Sequence, residues 1–162
     1  MSNEKATFGA GCFWGVELRF RQLPGVLDAA VGYMGGTLDQ PRYEDVCTGT
    51  TMHAEVVQVE FDPTQISFEA LVEFFWVNHD PTQHNRQGPD VGTQYRSVIF
   101  YHDDEQHTIA EASKRAWDAS GKLPAPIATT LEPAGTFWRA EEYHQRYLER
   151  RGLGGCSIQG ST

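Results

Sequence analysis

Residues 54–62 read Ala54-Glu55-Val56-Val57-Gln58-Val59-Glu60-Phe61-Asp62. Val57, Val59 and Phe61 alternate with Gln58 and Glu60, the period-two pattern of a strand with one buried and one wet face. Glu55 shares parity with the three apolar residues, so the same pattern aims its carboxyl at the buried face. Downstream, Asp62-Pro63-Thr64 turns the chain into a helix capped by Ser67, with Leu71, Phe74, Phe75 and Asn78 on one face. Upstream, Val26–Tyr33 is a second strand, and the stretch from Gly35 to Met52 reads as loop. Lys5–Gly11 is a short strand that runs into a helix over Phe13–Arg21, stopped by Pro24-Gly25. A polar loop covers about residues 79–95. Val98–His102, near-continuously apolar, reads as a central strand. Asp103 with Gln106 resembles a capping box for a helix that ends at Gly121. Ile127–Glu132 reads as a further strand and Glu141–Arg151 as a terminal helix. The alternation predicts a mixed α/β sandwich, with helices over a sheet of five or six strands.

The chain has 162 residues with 22 acidic and 13 basic side chains, a formal charge of −9. Its length suits a single domain, 1–162, with one sizeable core. Without a basic footprint, nucleic acid is not an expected partner. The N-terminus lacks an apolar leader and no run approaches a membrane span, so a cytoplasmic protein acting as a monomer is expected. Three cysteines are few and odd in number for a disulfide-stapled domain, and in a reducing compartment they stay thiols.

Cys12 lies in Gly11-Cys12-Phe13-Trp14-Gly15, where a strand meets a helix. A helix N-terminus favours a thiolate, and the flanking glycines and aromatics argue for a working thiol over a small core hydrophobe. Cys156 lies four residues past Gly152 in a glycine-rich tail, residues 151–162, expected to be flexible. Four residues span at most about 14 Å. Cys156 is thus either a surface thiol or, beside a reactive Cys12, a resolving cysteine that closes a disulfide. Cys47, next to Glu44 and Asp45, reads as structural. Burial would keep the Glu55 carboxyl protonated near neutral pH, able to donate; the alternative is a strand-end acid that swings to water. Tyr43 and Tyr95, in the polar loops, are core-edge aromatics or hydroxyl donors beside Glu55. His53, His79 and His84 with Asp80 match no zinc spacing, so solvated or capping roles and no metal are expected.

Taken in order, the motifs resemble the class A peptide methionine sulfoxide reductases. Gly11-Cys12-Phe13-Trp14-Gly15 is similar to that family's nucleophile motif. Val31-Gly32-Tyr33 with Gly35-Gly36, Tyr43-Glu44-Asp45-Val46-Cys47 and His53-Ala54-Glu55-Val56-Val57 follow. His79-Asp80-Pro81-Thr82, Asn85-Arg86-Gln87-Gly88, Asp90-Val91-Gly92-Thr93-Gln94-Tyr95-Arg96-Ser97 and a Glu141 to His144-Gln145 signature complete the set. The resemblance covers about residues 5–150. It implies a two-layer sandwich related to the ferredoxin-like plait, a Cys12 nucleophile, and Phe13 with Trp14 caging the S-methyl group. It also implies Glu55, Tyr43 and Tyr95 at the sulfoxide oxygen, with Asp90 supporting them, no bound cofactor, and thioredoxin (or DTT in vitro) as reductant.

Two departures stand out. Met52 occupies a position where many members have glycine. Cys156 is alone in a tail that often carries two cysteines, which points to thioredoxin attacking a Cys12–Cys156 disulfide directly.

Magnitudes bear on the chemistry this implies. A thiol with a pKa near 8.5 is roughly 3% ionised at pH 7. Full ionisation gains at most about 30-fold, near 2 kcal/mol, whereas enzymes supply about 8 kcal/mol or more. The rest has to come from positioning and from proton donation to the oxygen. The readings from other classes are a different thiol enzyme, either a peroxidase or a hydrolase with a histidine base at Cys12, and a non-catalytic peptide-binding module.

Overall fold

Residues 3–152 are described by a computed structural model of the chain. In order, the elements are β1 (Glu4–Ala10), α1 (Phe13–Arg21), β2 (Val26–Met34), α2 (Tyr43–Cys47), β3 (Ala54–Phe61) and α3 (Phe68–Val77). They continue with β4 (Arg86–Gln87), β5 (Asp90–Val91), β6 (Ser97–Tyr101), α4 (Asp104–Ser120), β7 (Thr130–Pro133), β8 (Trp138–Arg139) and α5 (Tyr147–Arg150). Single 3-10 turns lie at Thr93–Tyr95 and Glu142–His144. No helix among the described residues is long and apolar enough to cross a membrane.

Six strands form one mixed sheet in the order β7-β6-β1-β3-β2-β8, and β4 pairs with β5 in a separate hairpin. β1 runs antiparallel to β3 and β6, β2 runs antiparallel to β3 and β8, and β7 is parallel to β6. The connections β1-α1-β2 and β3-α3-β6 therefore each join parallel strands one strand apart. Val57, Val59 and Phe61 of β3 pack with Phe8, Val16, Phe20, Phe68, Leu71 and Phe75 in the larger core cluster. Phe8 is its centre, with ring centroids 5.0 Å from Phe20 and 5.3 Å from Phe75. Each such side chain contributes about 1.5–3 kcal/mol by leaving water.

The expected wet face of β3 is only partly wet. Val56 is fully buried on the opposite face, with Met34, Ala54, Val98 and Phe100, where Phe137 packs over them. Only Gln58 and Glu60 remain half-buried. β6 sits between β1 and β7, which explains its continuous apolar character.

Ser67 caps α3 by accepting from the Ala70 N–H at 3.0 Å, and Asp103 caps α4 by accepting from the Gln106 N–H at 2.8 Å. α4 ends on Gly121 at φ 72, as its glycine predicts.

Four stretches differ from their sequence patterns. The Gly35–Met52 loop contains α2, and the polar loop of residues 79–95 contains the β4–β5 hairpin. β7 begins at Thr130, because the backbone N–H groups before it are taken: Ile127 donates to Asp118 Oδ1 and Ala128 to the Pro81 carbonyl. The terminal helix is broken in two. The Gln145 side chain bonds the N–H and C=O of Val31 on β2, and Arg146 turns left-handed at φ 53 with its N–H on Glu17 Oε1. Two buried tertiary hydrogen bonds outweigh one more helical turn.

Candidate active site

Cys12 is the N-cap of α1, immediately after β1. Gly11 before it has φ +95, and a Cβ there would lie 2.8 Å from the Gln87 Cβ, so only glycine lets the hairpin strand β4 close on this corner. Cys12 is half-buried. Burial, then the Glu55 charge, pushes its thiol up to about 12 against the pull of the Trp14 and Gly15 N–H groups. This corrects the expectation of a thiolate. The helix N-terminus acts in the predicted direction, but it is outweighed, and the resting group is a thiol.

Glu55 is 1% exposed, on the buried face as its parity predicts. Its Oε1 accepts the Phe13 N–H at 3.2 Å, while Oε2 is buried without a hydrogen-bond partner among the described residues. Burial, with a further push from Asp90, raises the carboxyl to about 8 despite the Phe13 bond. At neutral pH it is a protonated acid beside a protonated thiol.

Tyr43 begins α2 and Tyr95 ends the 3-10 turn at Thr93–Tyr95. Burial pushes both phenols up, joined at Tyr43 by a hydrogen bond with Cys47 and then the Glu55 charge, and at Tyr95 by the Glu55 charge, so each stays protonated. Asp90, on β5, is raised by burial. It lines, with Cys12, Arg19, Asn78, His79 and Gln87, a cavity of about 190 Å³ beside the thiol.

Phe13 is buried against Tyr33, centroids 5.7 Å apart. Trp14 stacks on Tyr147 at 3.8 Å, and its Nε1–H donates to His144 Nδ1 at 2.9 Å.

The structure thus brings Cys12, Phe13, Glu55, Tyr43, Tyr95 and Asp90 into one electrostatic neighbourhood, with Trp14 beside them in α1. Cys156 lies outside the described residues.

Two residues of the Glu141 to His144-Gln145 segment also build the site. Glu141 accepts the Tyr33 hydroxyl at 3.0 Å on Oε1 and the Tyr43 N–H at 2.9 Å on Oε2, tying α2 to β2. Burial works to raise this carboxyl, yet its hydrogen bonds hold it below its ordinary value. His144 contacts Phe13, Trp14 and Tyr43. No periodicity marks either residue, because both sit in irregular chain after β8.

The remaining cysteine and the histidines have their own surroundings, and the histidines differ from the expectation of solvated or capping roles. Cys47 is exposed, with a hydrogen bond to the Tyr43 side chain; partial burial, then the Glu55 and Glu44 charges, push its thiol up against that bond. His53 is buried, accepting from the Gly36 N–H on Nδ1 and bonding the Leu38 carbonyl through Nε2 at 2.7 Å. His79 bonds the Phe75 carbonyl and Ser97 Oγ, so neither nitrogen is left to act as a base on Cys12. No group of three or more potential metal ligands occurs among the described residues.

A cysteine beside a protonated carboxyl, with two protonated phenols in that carboxyl's field, on a mixed α/β scaffold, suits a thiol enzyme whose substrate accepts a proton. A family model described as "Peptide methionine sulfoxide reductase" matches residues 4–162. The chain is 64% identical, over 96% of its own length and 94% of the relative's, to "Peptide methionine sulfoxide reductase MsrA" of Methanoculleus marisnigri. Among solved structures it is similar to "Methionine sulfoxide reductase A of Corynebacterium diphtheriae", with TM-score 0.83, 40% identity, and 96% and 78% of the two chains covered. It is also similar to Mxr1 of Saccharomyces cerevisiae in complex with Trx2, with TM-score 0.58, 32% identity, and 90% and 85% covered. The chain belongs to the peptide methionine sulfoxide reductase family. It is an oxidoreductase that returns methionine S-sulfoxide to methionine.

Proposed function

We propose that Cys12 is the nucleophile and Glu55 the acid of this reduction, with Tyr43 and Tyr95 donating to the sulfoxide oxygen. The observation that carries this is the buried Oε2 of a protonated Glu55, without a hydrogen-bond partner among the described residues, the carboxyl being anchored through Oε1 to the residue after Cys12. A sulfoxide sulfur is a poor electrophile until its oxygen is protonated. Glu55 passes its proton to that oxygen as Cys12 Sγ attacks sulfur, and the thiol proton replaces it on Glu55. The oxygen moves to Cys12, giving a sulfenic acid, and methionine leaves. Cys12 sulfur loses two electrons and the substrate sulfur gains two. General acid assistance of this kind is worth about 10²–10⁴-fold.

Phe13 and Trp14 cage the S-methyl group, and Asp90 keeps the acid site negative enough to hold its proton. Cys156 then condenses with the sulfenic acid, releasing water and closing a Cys12–Cys156 disulfide, which thioredoxin reduces. The Trx2 complex of the yeast relative supports the choice of reductant. The whole chain serves as one catalytic domain, with the resolving cysteine on its tail, in a reducing compartment such as the cytoplasm. The 4-1-3-2 order of β6, β1, β3 and β2, with two crossover helices, supports a ferredoxin-like plait as its core.

The test is methionine formation from each resolved sulfoxide epimer, with thiols counted before and after. Wild type should convert the S epimer and lose two thiols per turnover without reductant. Cys12→Ser should form no methionine. Cys156→Ser should release about one methionine per chain and stall with thioredoxin; sustained thioredoxin-linked turnover by that variant would remove Cys156 from the cycle.

A further inference from the structure

One face of α1 carries Cys12, Gly15, Val16 and Arg19, spaced i, i+3, i+4 and i+7, and all four line the cavity of about 190 Å³ beside the thiol. The facing wall comes from the end of α3 and the β4–β5 hairpin. It is held in place, because Gln87 Oε1 accepts the Asp80 N–H and its Nε2 donates to the Asp80 carbonyl, both at 2.8 Å. The cavity is therefore shaped before anything enters it.

Its lining includes one cation, Arg19, and one carboxyl, Asp90. His79, the other basic residue there, is neutral: burial, with a smaller push from the Arg19 charge, pulls its imidazole down to about 4. Arg19 donates through Nη1 to the Asn78 carbonyl at 3.0 Å, at the C-terminal end of α3. Capping that helix end takes one of the five donors of a guanidinium, whose planar fork also matches a carboxylate.

Seven residues along a helix set the Cys12 and Arg19 side chains about 10 Å apart. Methionine sulfoxide spans roughly 5 Å from its sulfur to its carboxylate carbon, across four bonds. An attack distance of about 3–3.5 Å at the thiol and a charged hydrogen bond of about 2.8 Å at the guanidinium take up the remainder. A sulfur placed on Cys12 thus brings the α-carboxylate of the same residue to Arg19. An internal residue of a peptide has a neutral amide at that place.

We propose that Arg19 is a specificity-determining residue, which makes this cavity a subsite for the α-carboxylate of methionine S-sulfoxide, so that the free amino acid and a C-terminal residue are reduced in preference to an internal one. The inference rests on Cys12 as the nucleophile. Asp90 ranks the two favoured substrates. The α-ammonium of the free amino acid offsets its charge, whereas an acylated C-terminal residue brings nothing to do so, and the free amino acid comes first.

The test compares kcat/KM, with excess DTT, for free methionine S-sulfoxide, its N-acetyl acid and its N-acetyl amide, which stand for the free, C-terminal and internal forms. In wild type the acid should exceed the amide about 10-fold, and the free amino acid should exceed both. Arg19→Leu should bring the acid-to-amide ratio to about 1 or below, and Arg19→Lys, which keeps a cation, should restore most of it. If Leu fails to fold, Arg19→Gln removes the same charge with a polar side chain.

A wild-type ratio near 1, or a ratio unmoved by removing the charge, would overturn the role. An equal loss on all three substrates with a lower Tm would also overturn it, since that is what a mere cap of α3 predicts. A free amino acid ranking below the N-acetyl acid would overturn the part given to Asp90. Turnover of any of the three by Cys12→Ser would mean that the nucleophile itself is misassigned, a result distinct from failure at Arg19.

Discussion

Glu17 and Glu55 are the two carboxylates that this fold buries equally, at 1% exposure each, and both are raised by that burial. Their partners differ. Glu17 has both oxygens engaged: Oε1 accepts the Arg146 N–H at 2.8 Å and Oε2 meets Arg21 Nε at 3.2 Å. It joins α1 to the turn before α5 and contributes to stability. Glu55 has one oxygen on a backbone N–H and one without a hydrogen-bond partner among the described residues. Burial alone therefore does not single out an acid for the role proposed for Glu55; the oxygen left without a partner beside the Cys12 corner does.

Glu55→Gln should break the comparison most severely. The amide keeps the shape and can still accept from the Phe13 N–H, but it is a far weaker proton source. The reductase step should fall about 10²–10⁴-fold, while the melting temperature stays at or above that of wild type. A wild-type rate of methionine release would exclude Glu55 as the acid.

Glu17→Ala should give the opposite result. Removing one partner from a buried pair costs about 3–5 kcal/mol, and at about 2–4 °C per kcal/mol for a chain this size the midpoint should drop by roughly 10 °C. Methionine release by the folded variant should stay within about 3-fold. A large activity loss at constant Tm would show that the two acids do not divide the work this way.

Acidity sharpens the same contrast. Below about pH 4.5 the Glu55 carboxyl is protonated in both folded and unfolded chains. From there to about 8 the unfolded chain releases its proton and the folded protein keeps it, so this group's contribution to stability falls as pH rises, then levels off. The slope should vanish in Glu55→Gln. The reductase step should decline above about pH 8 as Glu55 ionises, since the Cys12 thiol, near 12, stays protonated. A rate that climbs steadily from pH 7 to 10 would instead mean that thiolate formation limits the step.

How far these two acids were legible in the sequence follows from the elements that carry them. Glu55 sits on a strand whose alternation is unbroken from Val57 to Phe61, so its direction could be read from parity alone. α1 was equally legible, bounded by a glycine pair around Cys12 and by Pro24-Gly25. Glu17 and Glu141 were not, because each is bound across a long stretch of chain: Glu17 to Arg146 after β8, and Glu141, itself after β8, to Tyr33 and Tyr43. There, Gln145 trades helix for two bonds to Val31, and Arg146 adopts φ 53. No local pattern encodes a side chain docking on a strand 114 residues away. The Cys12 ionisation is hidden from the sequence for a related reason: the helix end is local and visible, whereas the burial and the Glu55 charge that outweigh it come from the sheet and β3.

The smallest effect concerns the approach to β3. Met52 has φ +66 and is half exposed, two residues before the strand that carries Glu55, with its carbonyl accepting from Arg96 Nη1 at 3.0 Å. A left-handed conformation costs a non-glycine residue about 1–2 kcal/mol. Glycine would remove that strain but enlarge the unfolded ensemble by about 0.4–1 kcal/mol. Met52→Gly should therefore gain only about 0.5 kcal/mol, or about 1–2 °C in Tm, with reductase activity unchanged. A lower Tm would mean that the half-buried methionine side chain contributes more by packing than its backbone loses. A shift in the pH at which activity declines would show that this turn, and not only burial, sets the environment of Glu55.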